Sequence, residues 1–492
     1  MKEYLEELKE QKNIRQNLIH IKEEIRNDTS KKQSVKEETE DSLWRAFLKN
    51  EDAKVRKNAA LLIGELQKSD LADDLYQAYT EETQLFVKSS YLKAMQNFSC
   101  KEYLFLLKER YRELLEEDIS NENAKHRSEE LRELERLIRK EEGQKRHAFC
   151  GYETASEVVL TTDKGYANIT AEQIRGAKVK ISQSGVKVQT KQLKPLLSIR
   201  TFREILFPIH SSEVLPKDAE KIAQALYQSD LDTLLHEHLE GEAPYYFRLN
   251  ILSGMDIKEK NTLLKKVSAA LENVSGHQWI NAKDHYETEI RLIENRQGEF
   301  VPYLKFYTLP MKRFSYRKNA LPVSIHPAQA ALLMRLAKPY LSEDACVLDP
   351  FCGVGTMLIE RKRVCTARAM YGVDTYGEAI LGARENTELA GENIHYIHRD
   401  FFDFTHRDRF DELIANMPAR GKKTKDEQDD FYRNFFEKAK TIVRRGGIMV
   451  LYTNELGFVK KQLRLQEEFK LQKEYCIREK EGYYLLIIEV KE

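Results

Sequence analysis

Apolar residues recur at three- and four-residue steps through residues 1–26, at Leu5, Leu8, Ile14, Leu18, Ile21 and Ile25. That period predicts an amphipathic helix. The polar stretch that follows, NDTSKKQSVKEETEDS, predicts a linker. Beyond it a unit repeats. Leu43-Trp44-Arg45-Ala46-Phe47 returns 32 residues later as Leu75-Tyr76-Gln77-Ala78-Tyr79, and Val55-Arg56 returns at the same offset as Val87-Lys88. Repeated helix pairs predict a short α-solenoid, because each pair needs a neighbour to bury its apolar face. Leu107 to Ile138 extends the stack, giving an α-helical repeat region over residues 1–150.

The pattern changes at residue 151. Alternating runs such as EVVLTT, AKVKISQ, VKVQT, YYFRLNIL and ETEIRLIE predict strands, with helices near 217–228 and 257–273. Residues 151–310 therefore read as an α+β region, and 311–325 as a linker. From 326 to 492 the order is helix, strand, loop, helix, strand, repeated. ACVLDPF, AMYGVD, IHYIHRD, FDELIAN and GGIMVLYTN supply five strands, and GYYLLIIEV belongs to a closing pair. Alternation on this period predicts an α/β fold, a mostly parallel seven-stranded sheet with helices on both faces.

Composition narrows the class. A chain of 492 residues predicts two to four domains. Hydrophobic residues at 41% and charged residues at 33% suit a helical, soluble protein. No apolar stretch is long enough for a bilayer, and the charged N-terminus is unlike a signal peptide, so no membrane partner is expected. The six cysteines form no Cys-x-x-Cys pair and read as reduced thiols of a cytoplasmic protein. His236 and His238 lack matching ligands nearby, and no metal site is expected. The 80 basic and 80 acidic residues cancel, so only their distribution carries information.

The chemistry concentrates in VLDPFCGVGTMLIE, residues 347–360. An apolar strand ends in Asp349, a tight loop holds Gly353 and Gly355, and a helix resumes. Ligands in such sheets sit beyond the carboxyl ends of the strands, and glycines there admit a close approach. Asp374 lies 21 residues after Gly353, where a carboxylate can take both hydroxyls of a ribose. Asp400, ending the next strand, is placed for the exocyclic amine of an adenine. A Gly-x-Gly loop also occurs in dinucleotide folds and plain turns. Here no third glycine follows at the Rossmann spacing, and no Gly-Lys-Ser/Thr marks a P-loop.

DPFCGVGTMLIE, GVD…AILGARENTELAG and RDFFDF…FDELIANMPARG together resemble the S-adenosylmethionine-dependent amino-methyltransferases of RNA. They resemble in particular the tRNA guanine-N2 branch, whose Rossmann-like methyltransferase domain follows a THUMP domain. YYFRLNILSG, AALENVSGHQWINAKDHYETEIRLIE and VPYLKFYTLPMKRFSYR resemble the THUMP core and its exit strand. ASEVVLTTDKGYANITAEQIRGAKVKI through LSIRTFREILFPIH resembles the ferredoxin-like unit before it. This covers roughly residues 155–490; DAKVRKNAALLIGEL, outside it, resembles a HEAT repeat.

The resemblance implies S-adenosyl-L-methionine as cofactor. Asp349, Gly353 and Gly355 would embrace its methionine moiety, with Phe351 and Thr356 in the same loop. Asp374 would bind its ribose, and Asp400 with Phe401 its adenine. Asn416, Met417 and Pro418 would form the catalytic motif. An exocyclic base nitrogen is a poor nucleophile because its lone pair is delocalised. The Asn416 side-chain oxygen and the Met417 carbonyl can hold its protons and aim the lone pair at the methyl group. The sequence departs from the familiar Asn-Pro-Pro-aromatic form. Met417 replaces the first proline, and Ala419 replaces the aromatic that stacks on the base, a contact worth about 1–3 kcal/mol. Phe351 is the nearby candidate to stand in. No cysteine nucleophile accompanies this motif, which excludes cytosine-C5 chemistry.

Residues 173–203 hold eight Lys/Arg and no acid, and residues 301–342 hold seven and no acid. Cations meet phosphates and aromatics meet unstacked bases, so these runs predict RNA contacts at Lys187, Lys191, Lys305, Lys312, Arg313, Tyr316, Arg317 and Lys318. In the family the THUMP unit holds the acceptor end of tRNA, which makes tRNA or another structured RNA the implied partner. The implied partner of the repeat module is RNA or a protein. The expected reaction is methylation of guanine N2 in tRNA. The alternatives are an RNA-binding pseudo-enzyme, or a guanine-N2 or adenine-N6 methyltransferase of ribosomal RNA.

Overall fold

The computed structural model describes residues 1–116, 123–142, 147–183 and 185–491. It divides into two compact units, Met1–Arg146 and His147–Glu492.

The first unit is helical. Its N-terminal apolar pattern forms two helices, Lys2–Lys9 and Ile14–Asn27, because the chain turns at Gln11 and Asn13 with φ of 56° and 46°. The stretch read as a linker holds a helix, Lys31–Glu38. One buried valine is enough to seat it. Val35 is buried, and the Thr39 hydroxyl donates to its carbonyl while accepting the Trp44 indole N–H. The repeated sequence forms helices Asp41–Leu48 and Ala53–Leu66, then Ala72–Glu81 and Leu85–Met95. Val55 and Val87 are buried at matching places. Helices 53–66 and 85–95 approach so closely that a Cβ on Gly64 would lie 2.7 Å from the Ala94 Cα. Of the segment Leu107 to Ile138, residues 117–122 lie outside the described residues; helices Leu104–Glu116 and Ala124–Glu142 flank them.

The second unit begins earlier than residue 151. Phe149 pairs with Leu239, and the Cys150 N–H donates to the His238 carbonyl. Its first sheet has eight strands: β1 (Ser156–Thr161), β2 (Lys178–Ile181), β3 (Gly185–Thr190), β4 (Ile205–Pro208), β5 (Tyr245–Leu252), β6 (Trp279–Asn281), β7 (Thr288–Glu294) and β8 (Phe300–Phe306). Their order is β2-β3-β1-β4-β8-β7-β5-β6. β5 runs parallel to β6 and β7, and the other pairs are antiparallel.

The second sheet holds β9 (Cys346–Asp349), β10 (Ala369–Asp374), β11 (His395–His398), β12 (Phe410–Asn416), β13 (Val443–Thr453), β14 (Phe469–Arg478) and β15 (Tyr483–Val490). The order is β11-β10-β9-β12-β13-β15-β14, with β9 to β13 parallel and β15 antiparallel to both neighbours. The chain steps outward from β9 to β11, then returns to β12 on the other side of β9. The reversal lies between β9 and β12, where such sheets bind ligands. Alternate residues feed two cores. Val347 and Ile414 pack with helices 327–337, 356–364 and 377–389, while Leu348, Leu413 and Ala415 pack with helices 425–442 and 456–465.

Helix Thr356–Val364, which follows the glycine loop, is pinned from two directions by adjacent residues. Glu360 is fully buried and accepts both guanidinium arms of Arg200, at 2.8 and 2.6 Å, and the Tyr316 hydroxyl at 2.7 Å. Arg361, also fully buried, meets Glu412 of β12 at 2.9 and 2.8 Å and the Ser342 carbonyl at 2.7 Å. Removing one partner of a buried pair strands the other. Glu360→Ala should therefore lower unfolding stability by about 3–5 kcal/mol. Arg200→Met/Glu360→Leu, which removes both charges, should recover most of that loss. Urea denaturation of the full chain reads both, and a Glu360→Ala protein as stable as wild type would dismiss the clamp.

Candidate active site

Asp349 ends β9 at the centre of the second sheet and is 1% exposed. One carboxylate oxygen accepts the Phe351 N–H at 3.0 Å. The other, Oδ2, has no hydrogen-bond partner among the described residues. Burial, with Asp374 nearby, pushes this carboxyl up to about 8 against the Phe351 bond. Thr356, opening the helix, likewise buries an Oγ1 without a described partner. Leaving a buried acceptor unpaired costs about 1–3 kcal/mol. Two such oxygens flanking one loop mark a place for a ligand that donates to both.

Asp374 ends β10, beside β9. One of its oxygens accepts the Gly353 N–H at 2.8 Å and the other the Tyr376 N–H at 2.9 Å. It thus fixes the loop, in addition to presenting a carboxylate at the strand end. Gly353 has φ of 51°, and a Cβ there would touch nothing within 4 Å, so open space faces it. Gly355 is constrained differently. Its φ is 81°, and a Cβ would lie 2.3 Å from the Tyr396 hydroxyl. Tyr396 in β11 stands opposite Gly372 in β10. A glycine inside a strand is the sequence signal for such a close approach, and Gly372 carries it.

Asp400 accepts the Phe402 N–H at 2.8 Å and remains exposed. Phe401 is buried as packing. Its ring lies 5.7 Å from Phe351 and 5.8 Å from Phe435. Phe351 is half-buried, with Phe431 and Phe435 at 5.8 and 5.9 Å. Cys352 is buried, and burial pushes its thiol well up, which suits packing and not nucleophilic work.

Asn416 is the last residue of β12. Leu413 pairs with Leu348, so Asp349 stands level with Ile414, and Asn416 projects two residues, about 7 Å, further along the same edge. The Asn416 amide makes no hydrogen bond to a described residue, whereas the Met417 N–H donates to the Tyr452 carbonyl at 2.9 Å. The Met417 side chain is buried, Pro418 is half-buried and Ala419 is exposed.

The expected RNA contacts divide. Arg313 and Tyr316 are turned inward, contrary to the expectation from charge alone. Arg313 donates to the Ile199 and Arg203 carbonyls at 2.6 and 2.9 Å and lies 3.6 Å over the Phe202 ring. Burial and the neighbouring Arg200 pull its guanidinium down to about 9. Tyr316 is spent on Glu360. Lys305 pairs with Glu204 at 2.7 Å and Lys187 with Glu157 at 2.5 Å. Arg317 donates to the Ile325 carbonyl, and Lys318 lies 3.9 Å from Glu385. Lys191 and Lys312 are exposed, with no ion-pair partner among the described residues. The carboxylates responsible lie outside the two acid-free runs, which is why the runs overstate the free charge.

A strand-end carboxylate with an unpaired oxygen, a glycine loop facing open space, and an amide without a described partner on the neighbouring strand lie together at the switch point of a doubly wound sheet. Residues 315–480 match the model of the UPF0020 family, RMKL-like, methyltransferase domain. This region is thus similar to a methyltransferase domain, and S-adenosyl-L-methionine is the cofactor that its buried acceptors fit. The match begins at 315, inside the stretch expected to be a linker, where Tyr316 already belongs to the core. The mouse (Mus musculus) U6 snRNA (guanine-N(2))-methyltransferase THUMPD2 is 30% identical over 117 residues, 23% of this chain and 22% of that protein. Ribosomal RNA large subunit methyltransferase K/L of Pseudomonas syringae pv. tomato is 26% identical over 218 residues, 42% of this chain and 28% of that protein. The chain thus spans less than a third of either relative. Among solved structures, TrmN from Thermus thermophilus aligns with a TM-score of 0.50 at 21% identity, over 68% of this chain and 99% of that one. SMU.472, a putative methyltransferase complexed with SAH, aligns with a TM-score of 0.52 at 15% identity, over 69% and 98%. At these identities the likeness establishes a shared fold.

Asp349 makes a pH prediction for the chain without cofactor. Its folded pKa, about 8, lies above the ordinary 3.8. The stability it contributes is complete below about pH 4 and is lost as pH rises through about 8, at about 1.4 kcal/mol per unit of displacement. Asp349→Asn should abolish that loss. Urea denaturation across this range should show wild type weakening relative to the variant as pH rises, and a pH-independent difference would contradict the buried, protonated carboxyl.

Proposed function

We propose that the chain is an RNA methyltransferase that methylates an exocyclic base amine, with guanine N2 of tRNA as its substrate. The observation that carries the reading is the Asn416 amide. It is free of described partners and sits on β12, beside the strand that ends in the unpaired Asp349 carboxylate. S-adenosyl-L-methionine, when bound, supplies an electrophilic methyl group. The chain's own residues do the rest. Asp349 accepts from the ammonium end of the cofactor, and Thr356 offers its hydroxyl beside it. Asp374 keeps the loop in place while facing the ribose. Asp400, exposed at the end of β11, meets the adenine.

At the base, the Asn416 side-chain oxygen and the Met417 carbonyl accept the two amine protons. This turns the nitrogen lone pair toward the methyl group, and such positioning supplies several kcal/mol without a strong base. The proton leaves to solvent once methyl transfer has made the nitrogen acidic. We read the first sheet as a ferredoxin-like unit joined to a THUMP-type RNA-binding region, and residues 1–150 as a HEAT-like module. The names of the two curated relatives support RNA as the substrate class, and that of THUMPD2 supports guanine N2. A second reading, an RNA-binding protein without turnover, draws on one observation. Ala419 is exposed and offers a base no ring.

Asn416→Ala separates the two. Single-turnover transfer of labelled methyl groups to unmodified tRNA transcripts should fall roughly 100-fold, as for the loss of one preorganised hydrogen-bonding group. Cofactor affinity, measured by calorimetry, should be unchanged. Asn416→Asp should keep partial activity, because a carboxylate still accepts. An active wild type with an unimpaired Asn416→Ala variant would refute the role of Asn416. Cofactor binding with no transfer to tRNA or ribosomal RNA would favour the second reading.

A further inference from the structure

Several cations of the two acid-free runs are neutralised within the fold. Arg200 is held by Glu360, Arg203 by Asp163, Lys187 by Glu157 and Lys305 by Glu204. Of the exposed cations left without an ion pair, three gather in one place. Arg175, Arg335 and Lys338 have no carboxylate within ion-pair distance among the described residues, and they line one cleft of about 720 Å³. Arg175 comes from the first run, Arg335 and Lys338 from the second. The fold brings together segments some 160 residues apart in the chain.

The cleft is built from fixed parts. Arg335 is the one exposed residue on helix Pro327–Ala337, whose other side chains are buried. Its guanidinium donates to the Gln173 Oε1 at 3.3 Å. The Gln173 amide in turn donates to the Ile169 carbonyl at 2.7 Å and to the Thr201 hydroxyl at 2.8 Å, which sets its orientation. Arg175 is braced by the Glu172 and Ile174 carbonyls, at 2.7 and 3.2 Å. Glu172 is the single acid on the lining, so the cleft keeps a net positive charge. Ile169 and Pro339 supply apolar walls. Helix 327–337, the floor, packs on helix 356–364, which begins in the cofactor loop.

We infer that this cleft holds the phosphodiester backbone of the RNA substrate, away from the target base. The inference rests on RNA being the substrate. Un-neutralised cations on a rigid floor suit repeated phosphate charges, and the absence of exposed aromatic rings on the lining suits backbone and not base recognition. The contact would position the RNA without reading its sequence.

The test uses the full chain, a fluorescent unmodified tRNA transcript and a salt series. Arg175→Gln/Arg335→Gln/Lys338→Gln should bind about 10-fold or more weakly at low salt. The slope of log affinity against log salt should shrink by about 2 to 3, because each lost phosphate contact removes about 0.7–0.9. A control with equal charge loss, Arg464→Gln/Lys470→Gln/Lys480→Gln, should keep the wild-type slope. Lys338→Glu alone, on an exposed side chain, should reduce the slope by about 1 and serves if the triple variant is unstable. A wild-type slope in the cleft variants, or an equal loss in the control, would overturn the cleft and leave the reading of Asn416 standing. A wild-type chain that binds no RNA at any salt would overturn both.

Discussion

The geometry of the site depends on two buried ion pairs made by consecutive residues. Glu360 and Arg361 lie about 100° apart around their helix, so one faces the Arg200 and Tyr316 side and the other faces Glu412 and the sheet. Buried pairs contribute little net stability over apolar packing, because desolvating the charges costs about what their attraction returns. What they supply here is position. Neither residue can be paired unless the helix sits at one height and one rotation. The helix begins at Thr356, so its setting fixes where Gly353, Gly355 and the Thr356 hydroxyl stand relative to the end of β9. Arg200 extends the arrangement by also donating to the Arg313 carbonyl, and Arg313 holds the Ile199 and Arg203 carbonyls. The segment that leaves the first sheet and the helix that starts at the loop are thereby one hydrogen-bonded assembly.

Within that frame the loop is set by backbone chemistry. Asp374 takes the Gly353 N–H, and Tyr396 fills the space where a side chain on Gly355 would lie. The loop is therefore shaped by contacts within the chain. Asp349 is the opposite case, a carboxyl buried with half of its bonding unmet. The group is most comfortable neutral when the site is empty and ionised when a cation faces it. The structural cost is borne at a position where a ligand can relieve it.

Much of the architecture was legible from period alone. EVVLTT, VKVQT and YYFRLNIL alternate and lie in β1, β3 and β5, and the run from ACVLDPF to GYYLLIIEV lies in the strands β9 to β15. A period, however, records burial on one face and says nothing of interruptions. Two residues with positive φ split the first helix, and a single buried valine made a helix of a polar stretch. In the site, Asp349, Gly353 and Asn416 stood out because each lies at or just beyond the end of a strand. The roles of Asp374 as loop anchor, of Tyr396 as wall and of Glu360 as clamp did not. Each depends on a partner 20 to 160 residues away that no local pattern announces. The charge runs misplaced Arg313 and Tyr316 for the same reason. Arg313 and Tyr316 look like ligands of a polyanion until Glu360, Phe202 and the backbone carbonyls around them are in place.

The two sides of the site are built under unequal constraint. Under the proposed function, strand-end atoms and buried residues make the cofactor side: Asp349 and Thr356 are buried, and the rings of Phe351 and Phe401 pack into a core. The side that would face a base is the segment after Asn416, where residues 419–427 are exposed and carry Ala419, Lys422 and Lys423. Lys423 lies 4.4 Å over the Phe431 ring, a contact that an exposed loop can break at a cost of about 0.5–1 kcal/mol. A change in this segment alters what the amine of a base meets and leaves the cofactor contacts untouched. Under that reading, the alanine at position 419 is a case of that kind. It offers the base no ring, while Asn416 on β12 and Met417, held by its bond to the Tyr452 carbonyl, stay in place. A base held less firmly by its face has to be held more firmly elsewhere, and the rest of an RNA chain, through its phosphates, is the part of the substrate that can do so.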